Sequence, residues 1–469
     1  MISPRPNSES VVADLTANEY EREPVPPSRQ KGWKGFLGMY AGEHAAGTEF
    51  MIGPLFLAAG VSAFDLIFGL LLGNVLAMLS WAFICAPLAV KYRVTLYYKM
   101  EQICGIRLVT IYNLANGILF CFLAGAMISV SATAVGVPFQ MQMPGLGDWL
   151  PNSVGWVVAV IAVGAVISVV AALGYDAVAR FSNIASPWMV LIFLACGLVT
   201  LPKLGVESIG DFWTIAQTRI WVGGEPMVGQ MKFTFWHVVF FAWFCNAAMH
   251  FGLADMSVLR YAKKWYHGFS SGTGVFVGHY MAWIAASLLY AWQLLRDPAN
   301  TSVAPGPMAY EAVGVAGLIC VVVAGWTTAN PTIYRAGLAF QAVLPRSSRF
   351  TVTVIAGVIA TIGAIFPALV MQLLGFVGLY GLILMPMGAV IFANAWVFPR
   401  LGITPDAAVA NGWKWNWAAA GAWGLSLAIC AVLMLGFGVD VFFLALPGWI
   451  ICGIAFVIFS KLQERPKPL

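Results

Sequence analysis

Ala41-Gly42-Glu43-His44-Ala45-Ala46-Gly47-Thr48-Glu49, with Gly53-Pro54 close behind, interrupts an apolar stretch near the start of the chain. Glycines, a proline and three ionisable side chains are poor material for a continuous helix. In lipid such a break is costly unless it lines a cavity, because its backbone and side chains need partners there. Asn246-Ala247-Ala248-Met249-His250-Phe251-Gly252-Leu253-Ala254-Asp255 repeats the pattern just after Trp243 and Phe244. A third patch, Trp326-Thr327-Thr328-Ala329-Asn330-Pro331, lies in the apolar run from about 312 to 344 and reads as a helix-breaking binding site.

The medium follows from composition. Of 469 residues, 60% are hydrophobic and 10% charged, and mean hydropathy is +0.83, whereas soluble chains are about 25% charged. About twelve apolar runs are long enough to cross roughly 30 Å of hydrocarbon as helices. They fall near 35–61, 64–90, 108–135, 153–173, 185–202, 233–254, 269–295, 312–343, 350–370, 372–398, 414–438 and 440–461. The chain therefore reads as an all-α integral membrane protein.

Broken spans one and six stand five helices apart. Discontinuous helices at matching places of two five-helix halves point to an inverted-repeat transporter, with cargo and ion held where helical hydrogen bonding lapses. The expected fold is a 5+5 inverted-repeat core of the leucine-transporter type plus two C-terminal helices. Residues 34–398 make the ten-helix transport core and 399–461 the two added helices. The leader, 1–33, is rich in Pro, Ser, Glu and Arg, has no apolar core and reads as a disordered cytoplasmic tail rather than a signal peptide. Residues 462–469 form a second cytoplasmic tail.

With the N-terminus inside, only Lys203, Arg219, Lys232 and Arg296 of the 25 basic residues face outward. That asymmetry places both termini in the cytoplasm and the protein in the cell membrane as a multi-pass chain. The net charge of +5 then reflects orientation in lipid, and nucleic-acid binding is not expected. The eight cysteines lie in or beside spans with no CxxC pair, and the five histidines are scattered, so reduced packing thiols and no metal centre are expected. No nucleophile motif or soluble output domain suggests an enzyme. Oligomeric state is not encoded in any pattern.

Gly60-Val61-Ser62 with Gly69 and Gly73-Asn74, the run Trp326-Thr327-Thr328 through Ile333-Tyr334 and Ala336-Gly337-Leu338, and Gly378-Leu379-Tyr380-Gly381 with Met385-Pro386 carry a resemblance to the nucleobase:cation symporter-1 family. It covers most of the membrane domain and is most specific in span eight. The resemblance implies symport of cytosine, purines, uracil, allantoin or hydantoins with a cation. It implies that Thr327 and Thr328, with backbone carbonyls of Gly42, Ala45 and Ala46, ligate sodium, an oxygen-only set suited to a hard cation. Asn330 matches a polar group facing the heterocycle, where an amide offers both donor and acceptor.

The family also sandwiches its ring between aromatics of spans three and six. Here those fall at Phe120, the stacking choice over Leu119, and at Trp243 with Phe244 behind it. Asn246, at the break, joins them as a substrate-binding residue. The chain departs from the family in its Ala86-Pro87 and Tyr97-Tyr98-Lys99-Met100-Glu101 segments, in lacking the span-three Trp and Gln, and in the wider Asp255 to Arg260 spacing.

Glu43 carries an open choice. A carboxylate near mid-membrane neutralises, pairs or holds a cation, so Glu43 lines the site or pairs with a neighbour such as Arg335 or His44. Asp255 is expected to cap its helix or pair with a basic residue, and His250 to be a satisfied interior histidine. Two functions follow. The first is import of a nucleobase-like heterocycle coupled to sodium if the threonines bind the ion, or to protons if Glu43 does. The alternative is the same fold carrying a cationic amine, amino acid or quaternary ammonium compound with Glu43 as counter-ion.

Overall fold

A computed structural model describes residues 19–145, 147–371 and 373–464. Among these, nine helices are long and apolar enough to cross a membrane, from Ala63–Tyr92 to Val441–Gln463. Three shorter apolar helices, Glu49–Ala58, Phe235–Phe244 and Arg349–Ala364, stand where spans one, six and nine are expected. The protein is a multi-pass membrane protein, and among the described residues its regular structure is helical apart from two isolated backbone bridges, Lys31 to Ala262 and Ser62 to Val222.

Span one is two helices, α1 (Lys34–His44) and α2 (Glu49–Ala58), parted by the turn at residues 45–48. Ala45 leaves helical geometry at ψ 56°, and the Glu49 amide reaches only the carbonyl of Ala46. Span six parts in the same way. α3 (Phe235–Phe244) ends two residues before the short turn α4 (Ala247–His250), and Leu253 takes the left-handed conformation at φ 66° before α5 (Met256–Leu259). A positive φ is uncommon outside glycine.

Span eight does not break, contrary to the sequence reading. α6 (Val315–Val343) runs unbroken through Pro331. Neighbouring helices and hydroxyl side chains satisfy backbone groups that a proline frees in a membrane helix. Hydroxyls brace the turns on either side of the carbonyl that Pro331 frees, that of Thr327: Thr332 donates to the carbonyl of Thr328 at 2.7 Å, and both Thr327 and Thr328 donate to that of Ala324 at 3.1 Å. The helix lies against Ile106–Gly136 of span three along much of its length, and Gly325 and Gly117 let the two approach closely.

The leader also differs from the expectation of disorder. Residues 1–18 lie outside the described residues, but 19–33 are packed onto the N-terminal face of the bundle. Arg260 donates to the carbonyls of Tyr20 at 2.5 Å and Glu19 at 3.0 Å, Val25 is buried and bonds Arg93 through its amide at 2.9 Å, and Arg22 pairs with Glu101. The Glu19 carboxylate accepts from the Tyr175 amide at 2.9 Å and lies 3.6 Å from Arg349. A few charged anchors reaching buried arginines hold a segment whose composition is otherwise that of a tail.

Burial raises the pKa of the Glu19 carboxyl above the ordinary value, and that effect exceeds the opposing pull of Arg349 and Arg260. Glu21 stands on the same arginine, 3.8 Å away. A raised folded-state pKa means that docking is strongest below the ordinary carboxylate range and weakens as pH climbs through the raised value. Hydrogen exchange, corrected for intrinsic rates, should show the amides of residues 19–25 losing protection as pH is raised upward from the ordinary carboxylate range. Constant or rising protection would remove Glu19 as the cause.

Candidate functional site

A cavity of about 60 Å³ lies between the two breaks and span eight. Glu43, His44, Ala46, Thr48, Glu49 and Ile52 line it from span one; Cys245, Asn246 and Met249 from span six; Thr328 and Thr332 from span eight. Leu123 and Met127 of span three, His279 of span seven and Tyr380 of span ten close the walls. It holds a few water-sized groups. A whole heterocycle enters only if the walls part.

Thr328 meets span one through its hydroxyl, which also bonds its own turn at Ala324. Its hydroxyl lies 2.9 Å from the carbonyl of Glu43 and 3.5 Å from that of Gly42, the two residues just before the end of α1. The carbonyls beside it are thus Gly42 and Glu43, whereas Ala45 and Ala46 lie further into the turn. Thr327 is one residue, or about 100°, further round the helix. Its hydroxyl meets Met189 Sδ at 3.4 Å and its own turn, although its β-carbon packs close to Gly42.

The expected ring sandwich does not assemble. Phe120 is buried against Tyr380, ring centroids 5.6 Å apart, and the residues of its helix that reach the cavity are Leu123 and Met127, one and two turns on. Trp243 donates to Ser80 Oγ at 2.9 Å and stacks on Phe244 at 4.6 Å, outside the cavity lining. Asn330 is fully buried, and its amide has no partner among the described residues. Thr328 and Thr332 are one turn apart and share the cavity face, which turns Asn330 away from it. Asn246 does line the cavity, with its amide 3.4 Å from His279 Nε2.

Glu43 resolves to the paired alternative. Arg335 of span eight grips it with two nitrogens, at 2.5 and 3.1 Å, and reaches Asp255 of span six at 2.5 Å. Asp255 also accepts from Tyr40 at 3.0 Å and Trp81 at 2.6 Å. One guanidinium therefore ties both broken helices to span eight at the edge of the cavity that Glu43 lines. With its charge spent on Arg335, Glu43 is not the free counter-ion of the alternative reading.

Three lining groups carry chemistry that the sequence reading did not select. His44 Nδ1 sits 2.9 Å from the carbonyl of Tyr40, which places the proton there and leaves Nε2 as an acceptor without a partner. His279 lies flat on Trp283, centroids 4.4 Å apart and planes 8° apart. Glu49 begins α2, is 3% exposed, and accepts from Trp283 Nε1. Glu49 closes the first quoted stretch; no comparable signal marks His279. The eight cysteines are free thiols.

No family model matches the chain, and no curated protein matches it in sequence. Solved structures match its shape. Mhp1, a nucleobase-cation-symport-1 family transporter, in a closed conformation with bromovinylhydantoin bound, superposes with a TM-score of 0.73 over 97% of this chain and 97% of that one, at 14% identity. The fold is of the leucine-transporter type. A Na+-coupled sialic acid symporter, outward-open and substrate-bound, gives 0.69 over 98% and 95% at 16% identity. Mhp1 facing inward gives 0.65 over 95% of each chain at 14% identity.

Proposed function

We propose that the protein is a secondary active symporter of the cell membrane, with both termini cytoplasmic, importing a small nitrogen compound by alternating access, with planar heterocycles of the nucleobase, allantoin and hydantoin class the first cargo to test. The observation that carries this reading is the meeting of both helix breaks and Thr328 around one cavity, the arrangement by which inverted-repeat transporters hold cargo and ion. Its solved counterparts of the same fold include a nucleobase-cation-symport-1 family transporter with bromovinylhydantoin bound and a Na+-coupled sialic acid symporter.

Sodium is the coupling ion that fits the residues present. Thr328 and the Gly42 and Glu43 carbonyls supply neutral oxygens without added charge, as a hard monovalent cation requires. Sodium bridging α1 to span eight holds those helices together, so its binding stabilises one arrangement of the bundle and biases the equilibrium toward it. Release toward the cytoplasm then requires the Arg335 tie to Glu43 and Asp255 to open.

Uptake of labelled cytosine, uracil, hypoxanthine and allantoin into proteoliposomes, with and without an inward sodium gradient, tests the reading. Uptake indifferent to both sodium and a proton uncoupler would remove coupling. Thr328→Val keeps the shape but deletes the hydroxyl, and is expected to raise the sodium concentration for half-maximal uptake about tenfold, a loss of ~1.4 kcal/mol. An unchanged sodium dependence would place the ion elsewhere.

A further inference from the structure

The charges around the cavity do not balance. Glu43, Asp255 and Glu49 bring three carboxylates into the interior against the one guanidinium of Arg335, and Arg335 is committed to the first two. Glu49 stands apart: among the described residues it has no ion pair, only the indole N–H of Trp283. A buried carboxylate without a cation is costly, and its place at the start of α2 offsets only part of that through the helix dipole. Sodium beside Thr328 would supply one positive charge. Glu49 is then left to a proton or to a second positive charge, and only the second would come with a ligand.

His44 adds a second bare acceptor to a wall that also holds the Asn246 amide and the hydroxyls of Thr48 and Tyr380. His44 Nε2 has no proton when its Nδ1 serves Tyr40, and it finds no partner. His44 and Glu49 both line the cavity, 3% exposed each, beside the amide of Asn246. Groups that only accept hydrogen bonds suit a ligand that mainly donates them, and ammonium and guanidinium groups offer donors and no acceptor. A neutral nucleobase edge presents both.

We propose that Glu49 is the recognition group for a positively charged, N–H-bearing end of the cargo, an ammonium, amidinium or aminoheterocyclic cation. This rests on the symporter reading for its biological meaning, but the binding does not depend on transport. Glu49 replaces Glu43 as the counter-ion, and the cavity's small size makes the cationic group itself, rather than a flanking ring stack, the main source of selectivity.

The test uses the purified full-length protein and two shape-matched pairs: acetamidinium against neutral acetamide, and 4-aminopyridinium against uracil, read by thermal shift and by calorimetry in sodium buffer. The cations should bind and the neutral partners should not. Glu49→Gln should weaken cation binding about tenfold or more, as expected for loss of a charge-assisted hydrogen bond, while the sodium-induced shift persists and so certifies the fold. Should that variant not fold, Glu49→Asp keeps the charge and is expected to retain measurable cation binding.

Equal binding of acetamide and acetamidinium would overturn the proposal, as would undiminished cation affinity in Glu49→Gln. If Glu49→Gln instead removes only the pH dependence of uracil binding, the carboxylate carries a proton and the proposal fails. Proteoliposomes that take up none of the compounds, with cation binding intact, would sink the symporter reading and leave the Glu49 assignment standing.

Discussion

Arg335→Met is expected to destabilise the protein by about 3–5 kcal/mol, because it strands Glu43 and Asp255 as buried carboxylates with no cation between them. Arg335 is fully buried and bonds both acids, so no water or neighbouring lysine takes its place. Tyr40 and Trp81 still donate to Asp255, but hydrogen bonds do not cancel a like charge held close by. Thermal melting of purified protein should register a large downward shift. The triple variant Arg335→Met, Glu43→Gln, Asp255→Asn should recover most of it, since replacing a whole buried ion cluster is often neutral. Recovery of stability without recovery of transport would separate the tie's part in transport from its part in folding. A melting point unchanged by Arg335→Met alone would show that the three groups are not coupled.

The second large effect concerns the break in span six. Gly388, in span ten, lies so close to Phe251 that a β-carbon there would stand 1.8 Å from the Phe251 carbonyl oxygen. That carbonyl also accepts from Trp449 Nε1 at 3.2 Å. Gly388→Ala must push the broken segment away from its support and disturb that bond, with an expected cost of about 1–3 kcal/mol or more from overpacking. Gly424, in the helix Trp417–Phe437, has nothing within 4 Å of the added carbon. Gly424→Ala should be neutral or mildly stabilising, by up to ~1 kcal/mol from helix propensity. Melting points that place the two variants together would refute the close approach of spans six and ten.

How much of this was open to reading from residues alone varies with the kind of signal. The breaks at 45–48 and around 251–255 are legible because glycine, ionisable groups and polar amides accumulate where a lipid-facing helix tolerates none of them. Pro331 misleads because one proline with hydroxyls beside it can stay inside a long helix packed on span three. The ring-stacking positions fail on rotational register. Counting along span three reaches the correct helix, but a shift of one turn separates Phe120 from Leu123, and only coordinates decide which meets the cavity.

Charge pairing is hidden for another reason. Arg335 was a possible partner of Glu43 from the outset, but the sequence contains no distance between span eight and Asp255, so the shared guanidinium could not be inferred. Glu49 is visible in the quoted stretch from the beginning. Its isolation becomes apparent only once Glu43 is seen to be taken.

The docked leader has a mechanical consequence. Residues 19–22 are fastened at once to Arg260 at the end of span six, to Tyr175 and Arg349 at the starts of spans five and nine, and to Glu101 beyond span two. Any swing that separates span six from spans five and nine must first unpick this stitch or drag it along. If the protein works as the proposed symporter, the stitch sets a threshold for that swing, and a factor gripping the chain upstream of Glu19 would change its rate without touching the cavity.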